Sequence, residues 1–147
     1  MATAVDFAEW AAPDLRLTLG ERTYKVAPPS VSRARKIIAL AARAEINLRI
    51  VKGELDEDTR EVIDSIGPIE RPGLGKAAAK MAADDIDVET IDRMEYYAIF
   101  YWARGKIYAD AIAIALWAPR ADALDGGDAP APKARTRSPR KSGRSTA

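Results

Sequence analysis

Residues 15–30, LRLTLGERTYKVAPPS, constrain the fold more than any other part of the chain. Two five-residue runs of alternating character flank Gly20-Glu21, and glycine sits where a two-residue type II′ turn needs positive φ. Counting outward, Leu19 faces Arg22, Thr18 faces Thr23, Leu17 faces Tyr24, Arg16 faces Lys25 and Leu15 faces Val26. In that register Leu15, Leu17, Tyr24 and Val26 share one face, and Arg16, Thr18, Thr23 and Lys25 share the other. A lone hairpin is marginal in water, so its apolar face must lie against something else. Pro28-Pro29 then ends the ladder, because proline lacks the N–H donor and holds the preceding residue extended.

Past that stop the period changes from two to 3.6 residues. Ser30 suits an N-cap, and the following segment carries Ala34, Ile37, Ala41, Ala44, Leu48 and Val51 on one stripe, widened by Ile38, with Gly53 as the expected end. LDEDTREVIDSIG reads as a short helix with acidic residues at its favourable end, and LGKAAAKMAADD as another. Asp87 is the expected cap of a long aromatic helix that breaks at Gly105, and a final helix follows, ended by Pro119. The predicted fold is mainly α: a small N-terminal β-hairpin at about 15–26, packed on a bundle of about four to five helices within residues 1–124, and a disordered tail.

The tail, 125–147, is rich in Gly, Pro and Ser and has no apolar side chain larger than alanine, so it cannot bury a core. It carries six Lys/Arg against Asp125 and Asp128, a net +4, which leaves the body at −3 in a chain of net +1. Such a tail binds nucleic acid only by salt-sensitive, sequence-blind contacts, and no aromatics are interleaved to stack on bases, so a solvated tail is the better reading. The chain has no histidine and no cysteine, which removes the commonest general base, the commonest metal ligand and any disulfide. No enzyme activity, metal or cofactor is expected. The start of the chain is acidic, unlike a signal or transit peptide, and the longest apolar runs are eight residues, far short of the ~20 that cross a bilayer.

Two motifs invite an anion-binding reading. RPGLGKAAA resembles a phosphate loop, but the first glycine of that motif falls on Glu70 and its magnesium-holding hydroxyl falls on Ala77. SRARK places Arg33, Arg35 and Lys36 at the start of a helix, where positive charge opposes the dipole. It reads as a tolerated exposed face or as a patch for an acidic partner. The acidic runs 54–58 and 84–87 lack EF-hand spacing and read as helix caps. Tyr96, Tyr97, Phe100, Tyr101 and Trp102 spread round their helix, as core residues do. They also leave room for an exposed apolar strip, continued by Ile107, Tyr108, Ile112 and Trp117.

In order along the chain stand Pro13-Asp14, Leu15, Leu17, Gly20, Tyr24, Val26 and Pro28-Pro29-Ser30, then Leu74-Gly75, Met81, Asp84-Asp85, Gly105 and Trp117. This pattern, across roughly residues 7–119, resembles the small tail assembly chaperones of siphophages infecting actinobacteria. The resemblance implies a non-enzymatic helper in the host cytoplasm, absent from the finished virion. It would bind the tape measure protein and keep it soluble while tail tube subunits polymerise. A longer form made by programmed frameshift would recruit the tail tube protein. The partner surface would then comprise Tyr96, Tyr97, Phe100, Tyr101, Trp102, Ile107, Tyr108, Ile112 and Trp117, with Arg33, Arg35 and Lys36 as a basic patch, and self-association would have room on the same surface. Two other classes stand beside it: a virion adaptor of the head–tail connector or tail terminator type, and a small DNA-associated protein acting through the basic tail.

Overall fold

A computed structural model describes residues 3–126, with side chains through Ala118. Strands β1 (Leu15–Leu19) and β2 (Arg22–Val26) form an antiparallel hairpin, followed by α1 (Val31–Asn47), α2 (Glu57–Asp64), α3 (Ala77–Ala83), α4 (Val88–Arg104) and α5 (Lys106–Gly126). The described residues fall into two units, one ending at Lys106 and the other beginning at Ile107. None of the described helices is long and apolar enough to cross a membrane.

The hairpin register is Leu15↔Val26, Arg16↔Lys25, Leu17↔Tyr24, Thr18↔Thr23 and Leu19↔Arg22, as the alternation requires. Gly20 sits at φ 63° and Glu21 has no positive φ, which fits a type II′ turn. Leu15, Tyr24 and Val26 are buried and cluster with Leu74, Ala77, Met81, Ile91 and Ala98, with Leu17 partly buried against them. The hairpin is fastened to α3 by Tyr24, whose hydroxyl donates to Asp84 Oδ2 at 2.9 Å, and by Arg22, which donates to the Asp84 carbonyl at 3.1 Å. The acidic pair at 84–85 is thus structural: Asp84 is the C-cap of α3 and Asp85 takes the left-handed conformation beyond it.

The starts of α1, α2 and α4 follow side-chain caps, whereas α3 has none. Ser30, Asp56 and Asp87 each accept from the backbone N–H three residues on, satisfying one of the donors a helix start leaves free. Helix ends follow a different logic. The expected continuation of α1 to Gly53 does not occur. Arg49 adopts φ 64°, its N–H bonds the Ile46 carbonyl, and the Ile50 N–H reaches back to the Glu45 carbonyl. Those two bonds form a Schellman closure on a residue that is not glycine. Asp85 closes α3 the same way, with the Ile86 N–H on the Met81 carbonyl.

Two further expectations are corrected. Ile38 does not widen the buried stripe of α1 and is 52% exposed. Helix α4 packs against α1, whose buried residues include Ile37, Ala41, Ala44 and Glu45, whereas Ile38 lines the seam with α2. Helix α5 does not stop at Pro119 but runs to Gly126. Proline inside a helix removes one hydrogen bond, and the alanine-rich sequence on either side favours continuing. The first two residues of the expected tail, 125 and 126, therefore belong to α5, and the rest of that tail lies outside the described residues.

Candidate functional site

The 71–75 loop, RPGLG, is where sequence most suggested phosphate chemistry, and its backbone donors are occupied by the protein itself. Glu95 of α4 reaches into the turn and accepts from Gly73 N at 3.0 Å and Leu74 N at 2.9 Å. Burial pushes the Glu95 carboxyl above the ordinary glutamate range, against the pull of those two N–H groups and of Arg71 and Arg33. Gly73 admits no side chain, since an added Cβ would stand 2.9 Å from the Glu95 carbonyl oxygen and 3.1 Å from Ile99 Cγ1. Leu74 points inward and is 1% exposed. A turn whose N–H groups converge on an anion is a phosphate cradle when empty; this one is filled by a carboxylate from the same chain.

The carbonyl side of the same loop is held by Arg33. Its Nε donates to the Pro72 carbonyl at 2.9 Å, and its two terminal nitrogens reach the carbonyls of Gly73 at 3.3 Å and Ala27 at 3.4 Å. The guanidinium lies over Gly75, where a Cβ would meet its central carbon at 2.8 Å. One arginine therefore ties the hairpin exit, the first turn of α1 and the RPGLG loop together. Lys36 pairs with Glu70, and Arg71 pairs with Asp92 at 2.6 Å. Of the SRARK cations nominated for an acidic partner, Arg33 and Lys36 are engaged within the fold, and Arg35 alone is exposed without a polar partner among the described residues.

Helix α4 divides its aromatics. Phe100 is 0% exposed and offers no surface to a partner, so its nomination for partner binding gives way to a core role. It stacks edge-to-face with Tyr96 at 5.2 Å. Tyr97, Tyr101 and Trp102 are half-buried against the hairpin cluster, with the Tyr101 and Trp102 rings edge-to-face at 5.0 Å. The Trp102 indole N–H is buried without an acceptor among the described residues, a penalty of about 1–3 kcal/mol where water does not reach it. Sequence reading overlooked the ion pair that locks α1 to α4: Arg104 forks onto Glu45 at 2.8 and 2.9 Å, and Glu45 is only 6% exposed. The two residues lie 59 positions apart, so no local pattern announces them.

Besides separate exposed side chains such as Ile50, Val51, Ile69 and Val88, apolar surface is grouped in three places. Between α1 and α2 runs a groove of about 690 Å³ lined by Val31, Arg35, Lys36, Asp58, Glu61 and Val62, extending along the seam to Ile38 and Ala42. Ahead of β1, Phe7 and Trp10 are exposed. In the second unit, α5 exposes Ile107 at 89% and Ile114 at 61%, while the nominated Tyr108, Ile112 and Trp117 are half-buried. Ile114 and Leu116 were not nominated; their run is apolar all round, so sequence does not say which side faces water. No group of three or more acidic side chains among the described residues is arranged to hold a metal.

No curated protein and no solved structure matches the chain at a significant level. A family model described as a domain of unknown function matches residues 5–147, and with a match of that extent the chain belongs to the DUF7426 family.

Proposed function

We propose that this protein is a non-enzymatic assembly chaperone of a phage tail, which binds the helical tape measure protein and keeps it soluble in the host cytoplasm while tube subunits polymerise. The observation that carries the reading is α5. Ile107, Ala111 and Ile114 are exposed at helical spacing, and the two isoleucines are 89% and 61% accessible. An apolar stripe of this kind on a helix is what a second amphipathic helix packs against, through anchors at i, i+4 and i+7. The ordered set of residues from Pro13-Asp14 to Trp117 supports the same reading. Engagement of the tail tube protein belongs to a longer, frameshifted product.

Co-expression of the tape measure protein with and without this chain tests the proposal. Soluble tape measure protein should appear only with the chaperone, and Ile107→Ser with Ile114→Ser should abolish the effect while helix content stays unchanged. Equal solubility in all arms overturns it. So does recovery of the chain from purified particles, the result expected of a virion adaptor.

A further inference from the structure

We infer that this protein pairs with a second copy of itself by exchanging N-terminal arms, the Phe7–Trp10 turn of each copy seating in the α1–α2 groove of the other. The arm precedes β1 and carries its own local order. Asp6 Oδ1 accepts from Ala8 N at 2.9 Å, and Trp10 N donates to the Phe7 carbonyl at 2.9 Å. The turn so closed sets the Phe7 and Trp10 rings edge-to-face at 5.2 Å. Yet Phe7 is 65% and Trp10 68% exposed, with Val5 beside them at 60%. Two aromatics held together on a preformed turn lose little freedom on binding, and tryptophan is the side chain most enriched among energetic anchors of interfaces.

The groove offers what the arm lacks. It is an open groove of about 690 Å³, with room to receive two aromatic side chains. Its apolar parts, Val31 at 81% and Ile38 at 52% exposure, are left uncovered, and no arm residue of the same chain lines it. Charge selects the occupant and its direction. The arm contributes Asp6, Glu9 and Asp14 and no lysine or arginine before Arg16. On the α1 wall Arg35 has no polar partner among the described residues, Lys36 being engaged by Glu70. Asp58 and Glu61 on the α2 wall repel the arm's carboxylates, so these must face α1. A second copy supplies an acidic, aromatic segment of this kind, and reciprocal exchange closes the assembly at two.

The inference is independent of tape measure binding and is tested on the full chain alone, by sedimentation velocity across a wide concentration range. A dimer that dissociates on dilution is expected. Phe7→Ser with Trp10→Ser should leave a monomer, as should Ile38→Ser. All three side chains are exposed, so circular dichroism should not change, nor should the melting temperature at dilutions where the wild type is itself dissociated. Arg35→Glu should weaken the dimer by about tenfold, and Glu9→Lys combined with it should restore much of the loss. A chain monomeric at every concentration overturns the inference. A dimer indifferent to the arm substitutions, or to Ile38→Ser, overturns it equally.

Discussion

Glu95→Ala is the sharpest perturbation of the loop at the centre of the first unit. The substitution strands two backbone donors, Gly73 N and Leu74 N, that now bond the carboxylate at 3.0 and 2.9 Å. A stranded buried donor costs about 1–3 kcal/mol, so two cost about 2–6. Water entering the vacated space and release of the burial that disfavours the charged carboxylate both reduce the loss, and about 2–3 kcal/mol is expected. For a body of this size that corresponds to a fall in melting temperature of roughly 8–12 °C, read by circular dichroism at neutral pH. Glu95→Gln adds a test of sign. Burial raises the native carboxyl above its unfolded value of about 4.3, so the native state holds this proton more tightly than the unfolded chain does. Stability from this group is then present below the unfolded pKa and lost as pH rises through the native one. The lead of wild type over Glu95→Gln should therefore narrow as pH rises above the unfolded value of about 4.3. The lowered carboxyls of Asp56, Glu70 and Asp87 work in the opposite direction but are common to both proteins and cancel in the difference. A Glu95→Ala protein melting within about 2 °C of wild type refutes the account of the loop, and a lead that widens with pH refutes the role given to burial.

Arg104→Ala should destabilise by about 1–3 kcal/mol in urea titration, because it removes a forked partner from a Glu45 only 6% exposed, the one-third exposure of Arg104 keeping the loss below that of a fully buried pair, whereas replacing both residues with methionine should recover most of the loss. Arg49→Gly should raise stability by about 1 kcal/mol by relieving the left-handed strain at φ 64° that ends α1, an effect visible as a higher urea midpoint with unchanged slope.

The parts of the fold legible in sequence are those fixed by short-range rules. The hairpin could be read pair by pair because a period of two and a positive-φ glycine leave one register that buries Leu15, Tyr24 and Val26 together. Ser30 and Asp87 could be read as caps because a capping side chain acts three residues away. Helix ends were less legible. Arg49 and Asp85 take a conformation that glycine favours, so Gly53 looked like the natural end of α1 although the Schellman bonds close it earlier. The internal ties were illegible altogether: Arg33 meets Pro72 across 39 positions and Glu95 meets Gly73 across 22. Composition marks such charges as surface, because burial of a charge depends on a partner the local sequence does not contain.

That last point decides which features are free to act on other molecules. The two motifs with an anion-binding look, SRARK and RPGLGK, lie side by side, and much of their polar chemistry is consumed within the fold. Arg33 caps the loop's carbonyls, Lys36 takes Glu70, and Glu95 fills the turn where a phosphate would lie. Displacing Glu95 would require a ligand to outcompete an anion tethered to α4 and already in place, which strongly favours the intramolecular one. The loop therefore serves as the joint on which hairpin, α1 and α4 are assembled. Beside Arg35, the side chains left uncovered include apolar ones: Ile107 and Ile114 on α5, Phe7 and Trp10 on the arm, Val31 and Ile38 along the groove. Scattered apolar side chains on a surface need no explanation. These six are grouped on a helical stripe, on a preformed turn and along a groove, which is the arrangement the proposed chaperone role calls for.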